Sequence, residues 1–189
     1  MRFTLTVLAA GLLAASPVAA QDVACPFNAN MKLETRRSPL DSLSFSVAGQ
    51  AVKVCYGRPS LRGRTMIGGE AVPFGKVWRT GANETTKFIT ASAVKVGGLD
   101  VPAGMYALYT VPGESEWEII VNRSYEQWGQ EGGYTDAVKA QELGRVKAKV
   151  EPVESPIETF TIRAEPQQDG SVHLVLEWQN ARVRVPVGR

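Results

Sequence analysis

Apolar and polar residues alternate with a period of two along most of this chain. Segments 43–47 and 52–56 alternate in this way around the turn residues Ala48-Gly49-Gln50, which is typical of a β-hairpin. Because successive side chains of a strand point to opposite faces, this alternation predicts strands with one face towards a core. The other segments of this kind are 85–90, 93–96, 99–101, 105–111, 117–122, 146–150, 157–164, 171–178 and 182–187. About nine or ten short strands separated by turn residues predict an all-β fold, either an antiparallel β-sandwich or a jelly-roll-like barrel.

Two details refine this prediction. Segment 135–143 lacks the alternation, with Thr135 placed as a helix N-cap and Gly144 just beyond its end, so we expect one short helix there. Pro186 has no amide hydrogen for a sheet ladder and predicts that the last strand lies at a sheet edge. We expect a single β-sandwich domain over residues 41–189, preceded by a weakly structured leader over 21–40.

Residues 1–20 have the pattern of a secretory signal peptide. Arg2 precedes an apolar stretch over residues 5–15, and the small residues Val18-Ala19-Ala20 follow it. The pattern predicts cleavage after Ala20 and a periplasmic or secreted protein. No other stretch has the length and apolar character of a membrane-spanning helix, so we expect no integral membrane segment.

The two cysteines, Cys25 and Cys55, lie in the part of the chain that remains after this cleavage. In the predicted strand 52–56, Cys55 points away from the face shared by Val52, Val54 and Tyr56. A leader that crosses this outer face brings Cys25 to Cys55, and an oxidising compartment favours a disulfide between them. Two unpaired thiols are the alternative that the sequence leaves open.

The charge balance says little about partners. The chain has 21 Lys and Arg residues against 19 Asp and Glu residues, a formal net charge of +2. A nearly neutral protein is not expected to bind nucleic acid or an anionic membrane as its main ligand. With two cysteines and one histidine we also expect no structural zinc site, and we predict no cofactor.

Segment 56–84, YGRPSLRGRTMIGGEAVPFGKVWRTGANE, concentrates arginine, aromatic and turn-forming residues. Its many glycines and prolines predict a long shaped loop rather than a helix or strand. Guanidinium groups bind carboxylates and phosphates and stack on aromatic rings, and tryptophan beside arginine and asparagine also suits sugars. One hypothesis is a ligand site in this loop, with Trp128 contributed by a second loop over 125–134. The candidate ligand-binding residues are Tyr56, Arg58, Arg62, Arg64, Trp78, Arg79, Asn83, Glu84 and Trp128.

The second hypothesis for the same loop is structural. Its arginines can pair with loop carboxylates and cap backbone carbonyls, which would hold an irregular segment in one shape. We expect in particular that Arg79 and Glu84 pair across the turn Thr80-Gly81-Ala82-Asn83.

Residues for the common catalytic routes are few. His173, the only histidine, alternates on the outer face of a predicted strand, and the sequence has no GxSxG, HExxH or P-loop motif. The carboxylates of Glu84, Glu126, Glu131 and Asp136 lie in or beside the two long loops and offer one enzymatic alternative, a hydrolase with paired acids. The sequence as a whole favours a protein that is not an enzyme, and we predict no catalytic residues.

Several motifs together resemble an uncharacterised family of exported bacterial proteins, the domain of unknown function 2911. They are YGRPSLRGRTMIGG, VPFGKVWRTGANE, VPAGMYALYTVPGESEWEIIVN, the isolated QWG at 127–129 and the closing LVLEW and VRVPV. The resemblance covers residues 32–187. It implies a shared domain, bacterial origin and export, and it brings no reaction and no site residues.

The function predicted from these features is binding of a small polar or anionic ligand, with saccharides included, at the Arg- and Trp-rich loop. Loop 125–134 is expected to close the site. Two alternatives stay open: a structural or partner-binding module of the cell envelope, and a hydrolase that uses the loop carboxylates. The sequence identifies neither the ligand nor a protein partner.

Overall fold

A computed structural model describes residues 23–128 and 131–189 of the chain; the predicted signal peptide lies outside the described residues. In the described ranges the regular elements are nine strands and one α-helix, together with two short 3₁₀ turns. The elements are β1 (Leu40–Val47), β2 (Gln50–Gly57), β3 (Thr86–Thr90), β4 (Val94–Val96), β5 (Leu99–Val101), β6 (Gly104–Val111), β7 (Glu116–Asn122), α1 (Asp136–Lys139), β8 (Glu142–Pro166) and β9 (Val172–Gly188). The all-β prediction is confirmed.

The strands are hydrogen-bonded in the order β1-β2-β3-β6-β7-β8-β9-β4-β5, and every neighbouring pair is antiparallel. β8 connects the two halves of this order. Its first part pairs with β7 up to Lys149, and from Val150 onwards it pairs with β9. The long strand thereby passes from one layer into the other, so the architecture is a β-sandwich rather than a closed barrel.

Four predicted short strands merge into two long ones. Segments 146–150 and 157–164 both belong to β8, and segments 171–178 and 182–187 both belong to β9. The register between β8 and β9 shifts between Pro152 and Ile157 and again between Ile157 and Thr161. Bulges of this kind bend a strand without ending it and accommodate proline, so the prolines at 152 and 156 do not terminate β8.

The predicted helix and the predicted edge strand both need correction. Thr135 does cap α1, since its hydroxyl accepts a hydrogen bond from the Val138 amide at 3.4 Å, but the helix ends at Lys139 because β8 has already begun at Glu142. The pairing of this region with β7 outweighs its helical propensity. β9 lies between β8 and β4 and is not an edge. The sheet tolerates Pro186 because this residue lies beyond the last β8–β9 residue pair, where no amide hydrogen is needed. The Pro186 carbonyl accepts a hydrogen bond from the Gly97 amide at 2.7 Å.

An aromatic cluster fills the space between the two layers. Trp117, Trp178 and Phe160 are fully buried. Trp78 reaches this cluster from segment 56–84, which we call the Arg-rich loop, and stacks on Trp178 with a centroid distance of 5.6 Å. The loop is therefore fastened to the core through its tryptophan, which positions the residues that follow it. Among the described residues no helix is long and apolar enough to cross a membrane.

Candidate functional site

The Arg-rich loop uses its first arginine for contacts within the protein. The Arg58 guanidinium donates to the Phe160 carbonyl at 3.3 Å and to the Thr161 hydroxyl at 3.1 Å. It also lies 3.3 Å from the Asp41 carboxylate. These contacts connect the loop to β8 and β1, and they favour the structural hypothesis for Arg58.

Arg62 and Arg64 also donate to backbone carbonyls. Arg62 donates to the Arg37 carbonyl of the leader at 2.5 Å. Arg64 donates to the Leu61 carbonyl at 2.9 Å and to the Ser60 carbonyl at 3.0 Å, both within its own loop. The two side chains hold the irregular backbone in shape, as the structural hypothesis for this loop predicts.

Three other candidate residues are largely occupied by packing or by backbone contacts. The Tyr56 hydroxyl is buried and accepts from the Ile162 amide at 3.1 Å, and burial raises the pKa of this phenol. Trp78 is buried in the aromatic cluster. The Asn83 side chain donates to the Ser38 carbonyl at 3.0 Å. The half-buried Arg79 lines a smaller cleft of about 250 Å³, together with Arg64 and Trp78.

The turn that closes the Arg-rich loop is pressed against the end of β2. The Ala82 amide donates to the Gly57 carbonyl at 3.3 Å, and the Trp78 indole donates to the Gly81 carbonyl at 3.1 Å. A Cβ atom at position 57 would lie 2.1 Å from the Ala82 carbonyl oxygen, so only glycine permits this approach. The tight turn places Glu84 on the outer side of the sheet, just before β3 begins.

Glu84 forms a buried ion pair with Arg36 of the leader, which corrects the predicted pairing with Arg79. Arg36 donates to both Glu84 carboxylate oxygens, at 2.8 and 2.9 Å, and the Asn28 amide donates to the same carboxylate at 2.5 Å. The Arg36 side chain is 0% exposed and the Glu84 side chain 13%. Burial acts to raise the pKa of Glu84, but the hydrogen bonds from Arg36 and Asn28 outweigh it and hold this pKa below its usual value.

The leader is held on the outer face of β2 and β3, although in its described part, before β1, the regular structure is limited to a short 3₁₀ turn, Leu33–Thr35. Cys25 and Cys55 form a disulfide with Cα atoms 5.7 Å apart. Lys53 donates to the Val23 carbonyl at 2.8 Å. The bridge and the Arg36–Glu84 pair flank residues 26–28 and fix them as one wall of a cleft.

This cleft, of about 430 Å³, lies between the leader, β3 and the loop that follows β7. We call it the leader cleft. Its lining residues are Pro26, Phe27, Asn28, Glu84, Lys87, Tyr125, Glu126, Gln127 and Trp128. Phe27 is 45% exposed at the rim, Trp128 is half-buried and Glu126 is exposed. Two candidate residues, Glu84 and Trp128, thus meet in this cleft, whereas Arg58, Arg62 and Arg64 do not line it.

Lys87, which was not among the predicted site residues, is a buried lining residue of the leader cleft. The residue is only 4% exposed, and its ammonium group donates to the Thr85 hydroxyl and to the Tyr125 carbonyl. Burial lowers the pKa of Lys87 to about 8, and the negative charges of Glu84 and Glu126 act in the opposite direction. A buried lysine with a lowered pKa in a cleft is the kind of group that functional sites use.

A signal for Lys87 was available in the sequence. In the β2–β3 ladder Cys55 is directly opposite Lys87. A leader that reaches Cys55 on the outer face must therefore also pass close to Lys87 and remove it from water. The alternation alone does not specify the register between β2 and β3, so it did not place Lys87 opposite Cys55.

Residues 123–128, the described start of the loop after β7, form the opposite wall, and hydrogen bonds of Gln127 hold their backbone in place. Gln127 donates to the Ser124 carbonyl at 2.8 Å and to the Tyr109 hydroxyl. The Ser124 amide in turn donates to the Asn122 side chain at 2.8 Å. These bonds fix the backbone around Tyr125, whose carbonyl receives Lys87, and they present Glu126 and Trp128 to the cleft.

The other candidate acids and the histidine are dispersed. Asp136 is the first residue of α1, and His173 lies directly opposite Glu165 in the β8–β9 ladder. The Glu131 side chain lies outside the described residues. Over residues 23–128 and 131–189, no group of three or more His, Cys, Asp and Glu residues is placed to hold a metal ion.

A family model described as "protein of unknown function (DUF2911)" matches residues 38–187. The chain therefore belongs to this family. No curated protein and no solved structure matches the chain. The matched range contains the Arg-rich loop, β3 and the loop after β7. It begins after Cys25, Phe27 and Arg36, so the leader wall of the cleft lies outside the matched segment.

Proposed function

We propose that this member of the DUF2911 family is an exported binding domain whose leader cleft takes one small polyhydroxylated molecule, a saccharide or a compound of similar chemistry. The observation that carries the proposal is the composition of this single cleft. It combines a buried lysine and a hydrogen-bonded carboxylate at its base with the aromatic rings of Phe27 and Trp128. The proposal keeps the polar and saccharide part of the predicted ligand class and leaves out its anionic part. It keeps Glu84 as a site residue and replaces the arginines by Lys87.

The size and lining of the leader cleft suit such a ligand. Its volume of about 430 Å³ lies within the range of small-molecule sites. An aromatic ring can cover the apolar face of a sugar, as the rings of Phe27 and Trp128 would do here. Lysine donates hydrogen bonds and carboxylates accept them, so Lys87, Glu84 and Glu126 together match hydroxyl groups, which do both.

The charges around the leader cleft favour a neutral ligand over a strongly anionic one. The Glu84 carboxylate is paired with Arg36, and the negative charges of Glu84 and Glu126 both act on Lys87. A phosphate or sulfate entering the cleft would meet the two carboxylates as well as Lys87. A sugar hydroxyl meets no such repulsion.

Export is part of the proposal. The predicted signal peptide at residues 1–20 supports it, and so does the Cys25–Cys55 disulfide, because such bonds persist in oxidising compartments. The disulfide holds the leader wall against β2, so an oxidising compartment would also preserve the leader cleft.

The alternative of a structural module draws its support from Arg58, Arg62 and Arg64. All three donate to carbonyl groups of the protein. This arrangement supports a structural role for the Arg-rich loop, and we therefore place the proposed binding site in the leader cleft. The hydrolase alternative is disfavoured at Glu84, because a carboxyl group with a lowered pKa is a poor general acid.

Calorimetric titration of the proposed mature protein, residues 21–189, with a panel of methyl glycosides tests the proposal. We expect at least one to bind, and we expect Phe27→Ala and Trp128→Ala to weaken that binding about tenfold, as loss of an aromatic contact does. Phe74→Ala is the matched control, since Phe74 is 42% exposed and does not line the leader cleft. Equal effects of Phe27→Ala and Phe74→Ala, or no binding by any glycoside, would contradict the proposal.

A further inference from the structure

We infer that Lys87 is a reactive amine, which forms a reversible imine with the carbonyl carbon of a small aldehyde or ketone held in the leader cleft. The inference rests on the proposal that the cleft admits a small molecule, and it adds a covalent step to that function. The open-chain form of a reducing sugar carries a carbonyl group of this kind.

Among the described residues, the hydrogen bonds of Lys87 leave one position on its nitrogen without a partner. A lysine nitrogen is tetrahedral, with one position taken by its own Cε atom. Two of the other three point to the Thr85 hydroxyl and the Tyr125 carbonyl. The Thr85 hydroxyl in turn donates to the same Tyr125 carbonyl at 3.4 Å, so its oxygen lone pairs are available to Lys87.

The last position on nitrogen carries a hydrogen in the ammonium form and the lone pair in the neutral form. A neutral amine has two hydrogens, and the Thr85 hydroxyl and the Tyr125 carbonyl accept one each. Both forms of the amine can satisfy these two acceptors, and in the neutral form the lone pair is the group left for a molecule in the leader cleft. Lys87 lines that cleft together with Glu84 and Glu126.

The surroundings of Lys87 increase its neutral fraction. Burial lowers the pKa of this amine to about 8, against the charges of Glu84, itself paired with Arg36, and Glu126. At pH 8 roughly half of Lys87 is neutral, whereas a lysine with the ordinary pKa of about 10.4 is neutral to only about 0.4%. The neutral amine is the nucleophile, so Lys87 is expected to react well ahead of exposed lysines.

The step balances without any further reactant. The Lys87 lone pair forms a bond to the carbonyl carbon, and the C=O π electrons move to oxygen, which takes a proton to become the hydroxyl of a carbinolamine. That hydroxyl then leaves with a second proton as water while the C=N bond forms. The Lys87 amine supplies both hydrogens of that water, and the Glu126 carboxylate, which lines the same cleft, can relay them. Addition of water reverses the reaction and releases the carbonyl compound.

Reductive trapping tests this chemistry on the wild-type mature protein. The protein is incubated at pH 8 with glyceraldehyde and sodium cyanoborohydride, and peptide mapping follows the modification of each lysine with time. We expect Lys87 to be modified at least tenfold faster than the exposed Lys76 and Lys149, and its rate to rise with pH and level off above about pH 8. Lys87→Arg should remove the fast adduct and leave the slow ones. Modification of Lys87 no faster than that of Lys76 would overturn the inference.

A methyl glycoside, which has no free carbonyl group, separates this inference from the proposed function. Binding of the glycoside without fast labelling of Lys87 would refute the imine and leave the binding proposal standing. Fast labelling of Lys87 that excess glycoside suppresses would support both. Fast labelling with no glycoside binding would support the imine and contradict the saccharide proposal.

Discussion

Replacement of Arg36 by alanine is the change that most directly tests how the leader is held. The Arg36 side chain is fully buried and donates two hydrogen bonds to Glu84, at 2.8 and 2.9 Å. Its guanidinium also contacts the Asn28 and Met31 carbonyls of the leader, each at 3.4 Å. One side chain thus connects three parts of the leader to the end of the Arg-rich loop.

The expected cost comes mainly from the carboxylate that is left behind. Glu84 is only 13% exposed, so removal of Arg36 leaves its carboxylate largely buried without its guanidinium partner. Breaking a buried ion pair by removing one partner costs about 3–5 kcal/mol, because the remaining charge is not compensated. The double variant Arg36→Ala/Glu84→Gln should recover part of this loss, because glutamine carries no charge.

Urea unfolding measured by tryptophan fluorescence gives the free energy of unfolding, with the buried Trp117 and Trp178 as reporters. Arg37→Ala is the matched control. Arg37 is the exposed neighbour of Arg36, and its loss should change stability by less than about 0.5 kcal/mol. If Arg36→Ala cost no more than Arg37→Ala, the leader would not be held as described and the account of the cleft wall would be wrong.

Two further predictions concern the same wall. Replacement of Cys25 and Cys55 by serine should lower the free energy of unfolding by about 3–4 kcal/mol, the chain-entropy value for a sequence separation of 30 residues. The same change should weaken glycoside binding, and unchanged binding would show that the leader does not form part of the site. Because the folded-state pKa of Glu84 is lowered, its stabilising contribution is present above its unfolded pKa and is lost as the pH falls through the folded value. Glu84→Gln should therefore flatten the decline in stability as the pH falls below the usual glutamate pKa of about 4.3, and an unchanged acid profile in chemical denaturation would contradict the pairing.

The strands could be predicted from the sequence because alternation is a local property. The hairpin of β1 and β2 has both its faces and its turn encoded within about twenty residues. The continuity of β8 could not be predicted, since Pro152 and Pro156 are local signals for a break. Their tolerance depends on bulges against β9, a strand that follows later in the chain. α1 is shorter than its local signals indicate for the same reason, because β7 takes Glu142 into the sheet.

The site was harder to predict than the strands. The prominence of arginine in the Arg-rich loop suggested ligand contact, yet Arg58, Arg62 and Arg64 donate to the protein's own carbonyls. The residue that pairs with Glu84 is Arg36, which lies 48 positions earlier in a leader without periodicity. No local pattern specifies that contact. It depends on the path of the leader across β2 and β3, and the same path buries Lys87.

The central claim is that the leader cleft, and not the Arg-rich loop, is the ligand site. Chemical-shift mapping of the ¹⁵N-labelled protein over residues 21–189, the proposed mature form, during titration with a binding glycoside tests it most directly. The account predicts that the perturbed amides cluster at residues 27–28, at Lys87 and at residues 125–128, the two walls and the base of the leader cleft. Perturbations centred instead on Arg64, Trp78 and Arg79, which line the smaller cleft, would contradict it.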